Sequence, residues 1–326
     1  MKRSGMEVAA DQANAARFAD DVQYYLAQTP RQLPSRYLYD ALGTKLFEAI
    51  CRMPWYRVTR AEDRLLAAHG SRLFARPEAI STLVELGPGS GDKLATIIAA
   101  MPRRRPVQDV HLVDVSATAL EDASRTVQAV GGTRVVPHQA TYESGLLSAA
   151  AERRPDGRLV VVFLGSNIGN FDPPGREAFL RTIRTALAPG DGLLLGADLV
   201  KPERELLLAY DDPLGITAAF NRNLLVRLNR ELGADLDVAS FAHRAIWNAE
   251  DSRVEMHLVS LRAQRVRITR ADLDFEMSEG ESIWTESSYK FTPEQVKQVL
   301  EECGFQSAAR WTDSRDGFIL TVAEAV

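Results

Sequence analysis

Glu85-Leu86-Gly87-Pro88-Gly89-Ser90-Gly91 decides the fold. It ends a short apolar strand, Thr82 to Leu86, and runs into a helix predicted over Asp92 to Met101. Its glycines let the backbone turn sharply and let a ligand approach without Cβ clashes. Asp114 closes the next strand, Val110 to Asp114, 27 residues after Gly87. In an open α/β sheet both positions fall at the carboxyl ends of neighbouring strands, where ligands bind, and a carboxylate there can accept both hydroxyls of a ribose.

The alternation continues outward. Helices are predicted over Ala117 to Ala129 and Glu177 to Ala188, with strands over Thr133 to Pro137, Arg158 to Leu164 and Gly192 to Leu199. Near-continuous apolar strands separated by helices imply a parallel sheet covered on both faces, an α/β doubly wound, Rossmann-like arrangement. Past Lys201 the rhythm breaks. Glu203 to Asn229 reads as helical, interrupted near Pro213, and Arg244 to Asn248, Val254 to Leu261 and Arg265 to Thr269 read as antiparallel strands. Ala249 to Ser252 joins the first two of these as a hairpin. Thr292 to Cys303 then reads as a helix closed by Gly304, and Phe305 to Trp311 with Gly317 to Ala323 as a final antiparallel pair. Before the glycine turn the chain is helical: Ala15, Phe18, Val22 and Leu26 share one helix face, Pro54 ends a helix over Ala41 to Arg52, and Thr59 and Glu62 have capping-box spacing. The predicted organisation is a helical segment over 1–60 that joins the substrate domain, a ligand-binding Rossmann-like core over 61–200, an inserted α+β substrate-binding domain over 201–286, and a return to the core over 287–326.

Composition removes other classes. The 326 residues carry 39 Lys plus Arg against 44 Asp plus Glu, a net charge of −5, which argues against a general nucleic-acid binder. Arg103-Arg104-Arg105 is a basic cluster framed by Pro102 and Pro106, too small to be a nucleic-acid footprint. The longest apolar run, Leu159 to Gly165, is strand-sized, so no membrane span is expected. Lys2 and Arg3 lack a following apolar region, which speaks against a secretory signal. Two cysteines, Cys51 and Cys303, make neither a disulfide framework nor a cysteine metal site. The expectation is a monomeric cytoplasmic protein without metal.

The nature of the ligand turns on the glycine spacing. A dinucleotide fingerprint wants G-x-G-x-x-G. Here the pattern is G-x-G-x-G, and Asp92 stands where the last glycine would fall. A pyrophosphate would meet Glu85 and Asp92, whereas S-adenosylmethionine (SAM) has no phosphate and carries a cationic sulfonium that acidic neighbours favour. SAM is the preferred reading; a dinucleotide and a purely structural glycine turn stay open. Lys93 is placed to meet the SAM carboxylate. Thr141 and Tyr142 follow the third strand, where adenine lies in such folds, with Tyr142 stacking on the ring or covering the sheet edge. After the fourth strand, Gly165-Ser166-Asn167-Ile168-Gly169-Asn170-Phe171 faces the methyl group in SAM-dependent folds, and Asn170 is a candidate grip on a substrate amine or carboxylate.

With these residues in view, the chain resembles the histidine-specific Nα-methyltransferase family of ergothioneine biosynthesis. The resemblance spans essentially the whole chain, through Ser35 to Asp40, Pro54 to Glu62, both glycine turns, Tyr210 with Asp211-Asp212, and Thr285-Glu286-Ser287-Ser288-Tyr289-Lys290-Phe291. It implies that Tyr39, Gly87, Lys93 and Asp114 contact SAM, and that Tyr56, Gly165, Asn170, Tyr210, Met256, Glu286 and Ser288 form the histidine pocket. Within that pocket it implies that Asn170 and Tyr210 hold the amine and carboxylate and that Tyr56, Glu286 and Ser288 meet the imidazole. Tyr39 would orient the amine, making Tyr39 and Asn170 the catalytic pair. The implied reaction is Nα-trimethylation of L-histidine to hercynine. Two positions depart from the family: Thr141 replaces a usual aspartate, leaving adenine recognition open, and Trp55 replaces a tyrosine beside Tyr56. Two other readings remain: a methyltransferase of the same fold acting on another amino acid such as tryptophan, and a non-catalytic SAM-binding partner protein.

Overall fold

The computed structural model describes residues 5–73, 79–101 and 107–326. Lys2, Arg3 and the Arg103-Arg104-Arg105 cluster lie outside the described residues. The chain divides into two compact units, each made from two separated stretches: Met1–Tyr56 with Glu203–Ser287, and Arg57–Pro202 with Ser288–Val326.

The first stretch carries α1 (Gly5–Leu26), β1 (Arg31–Gln32) and α2 (Ala41–Arg52). The second carries α3 (Val58–His69), β2 (Ile80–Leu86), α4 (Asp92–Ala100), β3 (Asp109–Asp114), α5 (Ala117–Val130), β4 (Arg134–Gln139), α6 (Tyr142–Ala151), β5 (Arg158–Phe163), α7 (Pro173–Ala186) and β6 (Gly192–Asp198). The third carries α8 (Glu203–Tyr210), α9 (Ile216–Leu232), β7 (Phe241–Asn248), β8 (Arg253–Ser260), β9 (Gln264–Ile268) and β10 (Leu273–Met277), and β11 (Ser282–Tyr289) runs from it into the fourth. There α10 (Pro293–Glu302), β12 (Phe305–Asp313) and β13 (Phe318–Ala325) complete the chain.

In the unit of Arg57–Pro202 and Ser288–Val326, seven strands form one sheet in the order β12-β13-β6-β5-β2-β3-β4. The pairs β6–β5, β5–β2, β2–β3 and β3–β4 are parallel; β13 is antiparallel to both β6 and β12. This is a doubly wound, Rossmann-like sheet with an antiparallel strand pair at one edge. Its central strands are apolar on both faces because helices cover both: every residue of β2 and of β6 is buried. Sequential order reverses between β2 and β5, and that switch point is where an open α/β sheet binds ligands.

The other unit holds a four-stranded sheet in the order β1-β11-β8-β7 and a separate antiparallel pair, β9 with β10. The hairpin read from Ala249 to Ser252 does join β7 and β8, paired antiparallel from Phe241 with Ser260 to Asn248 with Arg253. Helix α9 is buried along Phe220, Leu224, Leu225 and Leu228, a spacing of three and four that presents one apolar stripe. Three strands escaped the sequence reading, β1, β10 and β11.

One local expectation is corrected. Thr59 and Glu62 do not form a capping box. Helix α3 starts one residue earlier, at Val58, with Arg57 in the N-cap position and no side-chain cap. Glu62 thus faces inward, where its carboxylate has other partners.

Candidate active site

The cofactor-side residues sit on the loops at the carboxyl ends of β2, β3, β4 and β5. Gly87 has φ of +72°, and a Cβ there would lie 2.7 Å from the Tyr142 hydroxyl and 3.1 Å from Nδ2 of Asn167. A side chain is therefore excluded twice, by backbone conformation and by space. Gly89 also has positive φ, but nothing lies within 4 Å of where its Cβ would be. That open position beside a tight one leaves the turn's backbone accessible to a ligand. Asp114 ends β3 and accepts a hydrogen bond from the Ser116 amide at 2.8 Å. Burial raises its carboxyl above the ordinary value, and the Ser116 and Val115 amides oppose that.

Glu85, just before the turn, is 2% exposed, and its Oε2 has no hydrogen-bond partner among the described residues. Burial lifts its carboxyl to about 8; Lys93 opposes the rise, while Glu62 and Asp114 add to it. A carboxyl buried without a charged partner is less costly protonated than ionised, and the raised value reflects that.

Lys93 occupies the first turn of α4, and its ammonium pairs with Glu62 at 2.5 Å. The Gly165 amide donates to both Glu62 carboxylate oxygens, at 3.0 and 2.9 Å. Thr141 is the N-cap of α6, accepting from the Ser144 amide at 3.4 Å. Tyr142 packs edge-on against Phe163, ring centroids 5.5 Å apart, and lies near Phe179 in the core. Its ring is thus engaged beneath the sheet's end, and the hydroxyl is what reaches the glycine turn. Ser166 takes a left-handed conformation at φ 61°, which swings the chain into the short 3₁₀ turn Asn167–Asn170. Gly169 is required there, because a Cβ would lie 2.6 Å from the Tyr289 carbonyl oxygen. Ser288 accepts from the fully buried Lys290 ammonium at 2.9 Å, and Lys290 pairs with Asp198 at 3.1 Å.

The other unit gathers the aromatic candidates. Tyr39 meets Phe47 and Phe220 edge-on, each with ring centroids 5.4 Å apart. Tyr56 lies 6.2 Å from Phe47 and 6.3 Å from Tyr210, again edge-on. Three tyrosines distant in sequence thus share one cluster, whose other members, Phe47 and Phe220, were not singled out from sequence. Beside Tyr39, Asp40 caps α2 through the Gly43 amide and receives Asn223 and Arg230 of α9, each at 2.7 Å. Asp212, two residues past Tyr210, accepts the amides of Leu214, Ile216 and Thr217 and so fixes the turn into α9.

A buried polar chain underlies this cluster. His243 and Asn221 meet through Nδ1 and Nδ2 at 3.0 Å, and His243 Nε2 meets the Tyr210 carbonyl at 2.8 Å. Burial holds the His243 pKa below its ordinary value, against the Tyr210 carbonyl and Asp211. A neutral ring that donates from Nε2 and accepts at Nδ1 satisfies both contacts. The Thr285 hydroxyl lies 2.7 Å from Asn221 Oδ1 and 3.0 Å from the Met256 carbonyl. Met256 on β8 is 1% exposed, and Glu286 on β11 is 9% exposed. Sequence reasoning reached Tyr210, Met256 and Glu286 but missed Asn221, His243 and Thr285 as their supports. Among the described residues no group of three or more His, Cys, Asp or Glu could hold a metal ion, and no helix is long and apolar enough to cross a membrane.

The sheet order and the glycine-turn site define a SAM-dependent methyltransferase. More narrowly, the chain belongs to the histidine-specific, SAM-dependent methyltransferase family, whose model matches residues 18–325. It is 41% identical over 317 residues to histidine N-alpha-methyltransferase of Mycolicibacterium smegmatis, covering 97% of both chains. It is 40% identical over 304 residues to the protein of that name from Mycobacterium tuberculosis, covering 93% of each. Ergothioneine biosynthesis protein 1 of Schizosaccharomyces pombe is 25% identical over 294 residues, spanning 86% of this chain and 37% of that longer protein.

Proposed function

We propose that this protein methylates the α-amine of L-histidine three times in succession, using SAM, and so makes hercynine for ergothioneine biosynthesis. The observation that carries this is the 41% identity to a histidine N-alpha-methyltransferase across 97% of both chains. Bound SAM supplies an electrophilic methyl group on a cationic sulfur. With SAM bound, the amine lone pair would form the N–C bond as the C–S bond breaks and its electron pair returns to sulfur, releasing S-adenosylhomocysteine; before each transfer a proton leaves the nitrogen and passes to solvent.

Each residue then has a task. Asp114 accepts the ribose hydroxyls, Gly87 gives the cofactor its backbone approach, and Lys93, paired with Glu62, meets the cofactor carboxylate. Thr141, already capping α6, offers adenine a hydroxyl dipole in place of a charge, next to Tyr142. Tyr39 and Asn170 orient the amine, with Gly165 alongside, and Tyr210 with Asn170 holds the head group. Tyr56, Glu286 and Ser288 meet the imidazole, and Met256 bounds the ring's space. The edge-on tyrosine cluster supports this reading, since aromatic faces accept the growing quaternary ammonium through cation–π attraction. Catalysis rests on orientation, which can lower a barrier by about 7–11 kcal/mol.

The test is mass spectrometry of a free amino-acid mixture incubated with the enzyme and SAM. Histidine alone should gain the mass of three methylene groups. Methylation of another amino acid with histidine untouched would overturn the substrate assignment.

A further inference from the structure

Glu62 is completely buried on α3, yet it carries a carboxylate. The sheet makes room for it. A Cβ on Gly196, in the interior of β6, would lie 2.0 Å from Glu62 Oε1. Glycine inside a strand is unfavourable, and so is a buried charge, so two destabilising choices meet at one point. What the carboxylate holds explains them. It takes the Gly165 amide on both oxygens and the Lys93 ammonium on one. Gly165 begins the turn that carries Asn170, and Lys93 begins the helix that follows the Gly87 turn. The two loops come from strands that are adjacent in the sheet, β5 and β2.

We infer that Glu62 is a positioning residue for methyl transfer: one buried carboxylate fixes the Lys93 ammonium and the Gly165 amide together and thereby sets the cofactor-binding helix against the turn that bears Asn170. This rests on the function proposed above. An ammonium has three donors, so Glu62 orients Lys93 without exhausting it. The amide on the other side anchors the turn at its first residue, immediately before the left-handed Ser166. Replacing the carboxylate by an amide keeps the volume and an acceptor for Gly165, but it turns an ion pair into a neutral contact.

The experiment combines Glu62→Gln, Glu62→Asp, Lys93→Met and the Glu62→Gln/Lys93→Met double variant. Three quantities are measured for each: SAM affinity by calorimetry, the single-turnover rate at saturating SAM and histidine, and the melting temperature. Glu62→Gln should weaken SAM by about 10- to 100-fold, the range for loss of a charged hydrogen bond. In the Lys93→Met background the same change should weaken SAM less than threefold, because the group through which Glu62 acts is gone. Glu62→Asp, which keeps the charge one methylene shorter, should recover part of the SAM affinity while the single-turnover rate stays low. Equal losses from Glu62→Gln with and without Lys93 would overturn the inference. So would a Glu62→Gln protein that melts lower but binds SAM and turns over as the unaltered enzyme does, since that marks a purely structural carboxylate. Wild-type enzyme that binds SAM but leaves histidine unmethylated would sink the proposed substrate while leaving the SAM-affinity comparison intact.

Discussion

At the scale of single residues, Glu85 couples the cofactor floor to pH. Its carboxyl is raised by burial to about 8 from the usual 4.5, so the folded protein keeps a proton that the unfolded chain has already released. Stability therefore falls as pH rises from about 4.5 to about 8, because the folded state binds the extra proton across that window. Glu85→Gln removes the effect. Its melting temperature should exceed that of the unaltered protein by more at pH 8 than at pH 5. An equal gap at both pH values would show that Glu85 titrates normally. Glu286 poses the complementary case, a carboxylate that the proposed function assigns to the imidazole. Glu286→Ala should lower kcat/KM for histidine by about 10- to 150-fold, as expected for loss of a charged partner to the imidazole. Unchanged histidine kinetics would show that the ring is read elsewhere.

At the scale of elements, strand β11 shows what the sequence could and could not disclose. The parallel core was legible because Leu83-Val84 and Leu159 to Phe163 are continuously apolar, and only a strand covered on both faces has that pattern. Ser282 to Tyr289 is mostly polar, yet Thr285, Glu286 and Ser288 are all buried. Their burial depends on partners from α9, β8 and the chain just beyond, which no local periodicity announces. The capping-box spacing of Thr59 and Glu62 misled for the same reason: Glu62 answers to a distant amide, not to its own helix. Resemblance located Glu286 where hydrophobic patterning was silent. Thr285→Val tests the support beneath it. The change keeps the shape and leaves Asn221 Oδ1 and the Met256 carbonyl short of a donor. We expect a stability loss of about 1–3 kcal/mol in urea unfolding, a raised KM for histidine and unaltered SAM affinity. A change in SAM affinity of similar size to that in histidine KM would contradict the assignment of this network to the substrate side.

At the scale of the whole molecule, the candidate residues divide by unit. Gly87, Lys93, Asp114, Thr141, Tyr142, Gly165, Asn170 and Ser288 belong to one unit; Tyr39, Tyr56, Tyr210, Met256 and Glu286 belong to the other. The division does not follow the two ligands throughout, but Asp114 and Glu286 fall in different units, so their effects should be separable by mutation. Asp114→Ala should weaken SAM by about 1.5–3 kcal/mol, whereas Glu286→Ala should leave SAM binding by calorimetry unchanged. Loss of SAM affinity in both variants would argue against that division. Activity should also climb through the alkaline range as the substrate amine loses its proton, because the α-ammonium of a free amino acid is still protonated at neutral pH. A rate maximum near pH 6 would require a base on the protein.

The antiparallel strand β13 has a consequence for biosynthesis. It sits inside the sheet between β12 and β6, and Phe318 pairs with Asp198. During translation β6 is complete long before its neighbour exists, and the stretch Glu203–Ser287, with α10 and β12 after it, emerges first. For that interval the nascent sheet ends in an open row of N–H and C=O groups along an apolar strand, the kind of edge that recruits other chains. Slow, chaperone-attended synthesis at low temperature should accordingly raise the soluble yield, and a ribosome stalled before β13 should release an aggregating product.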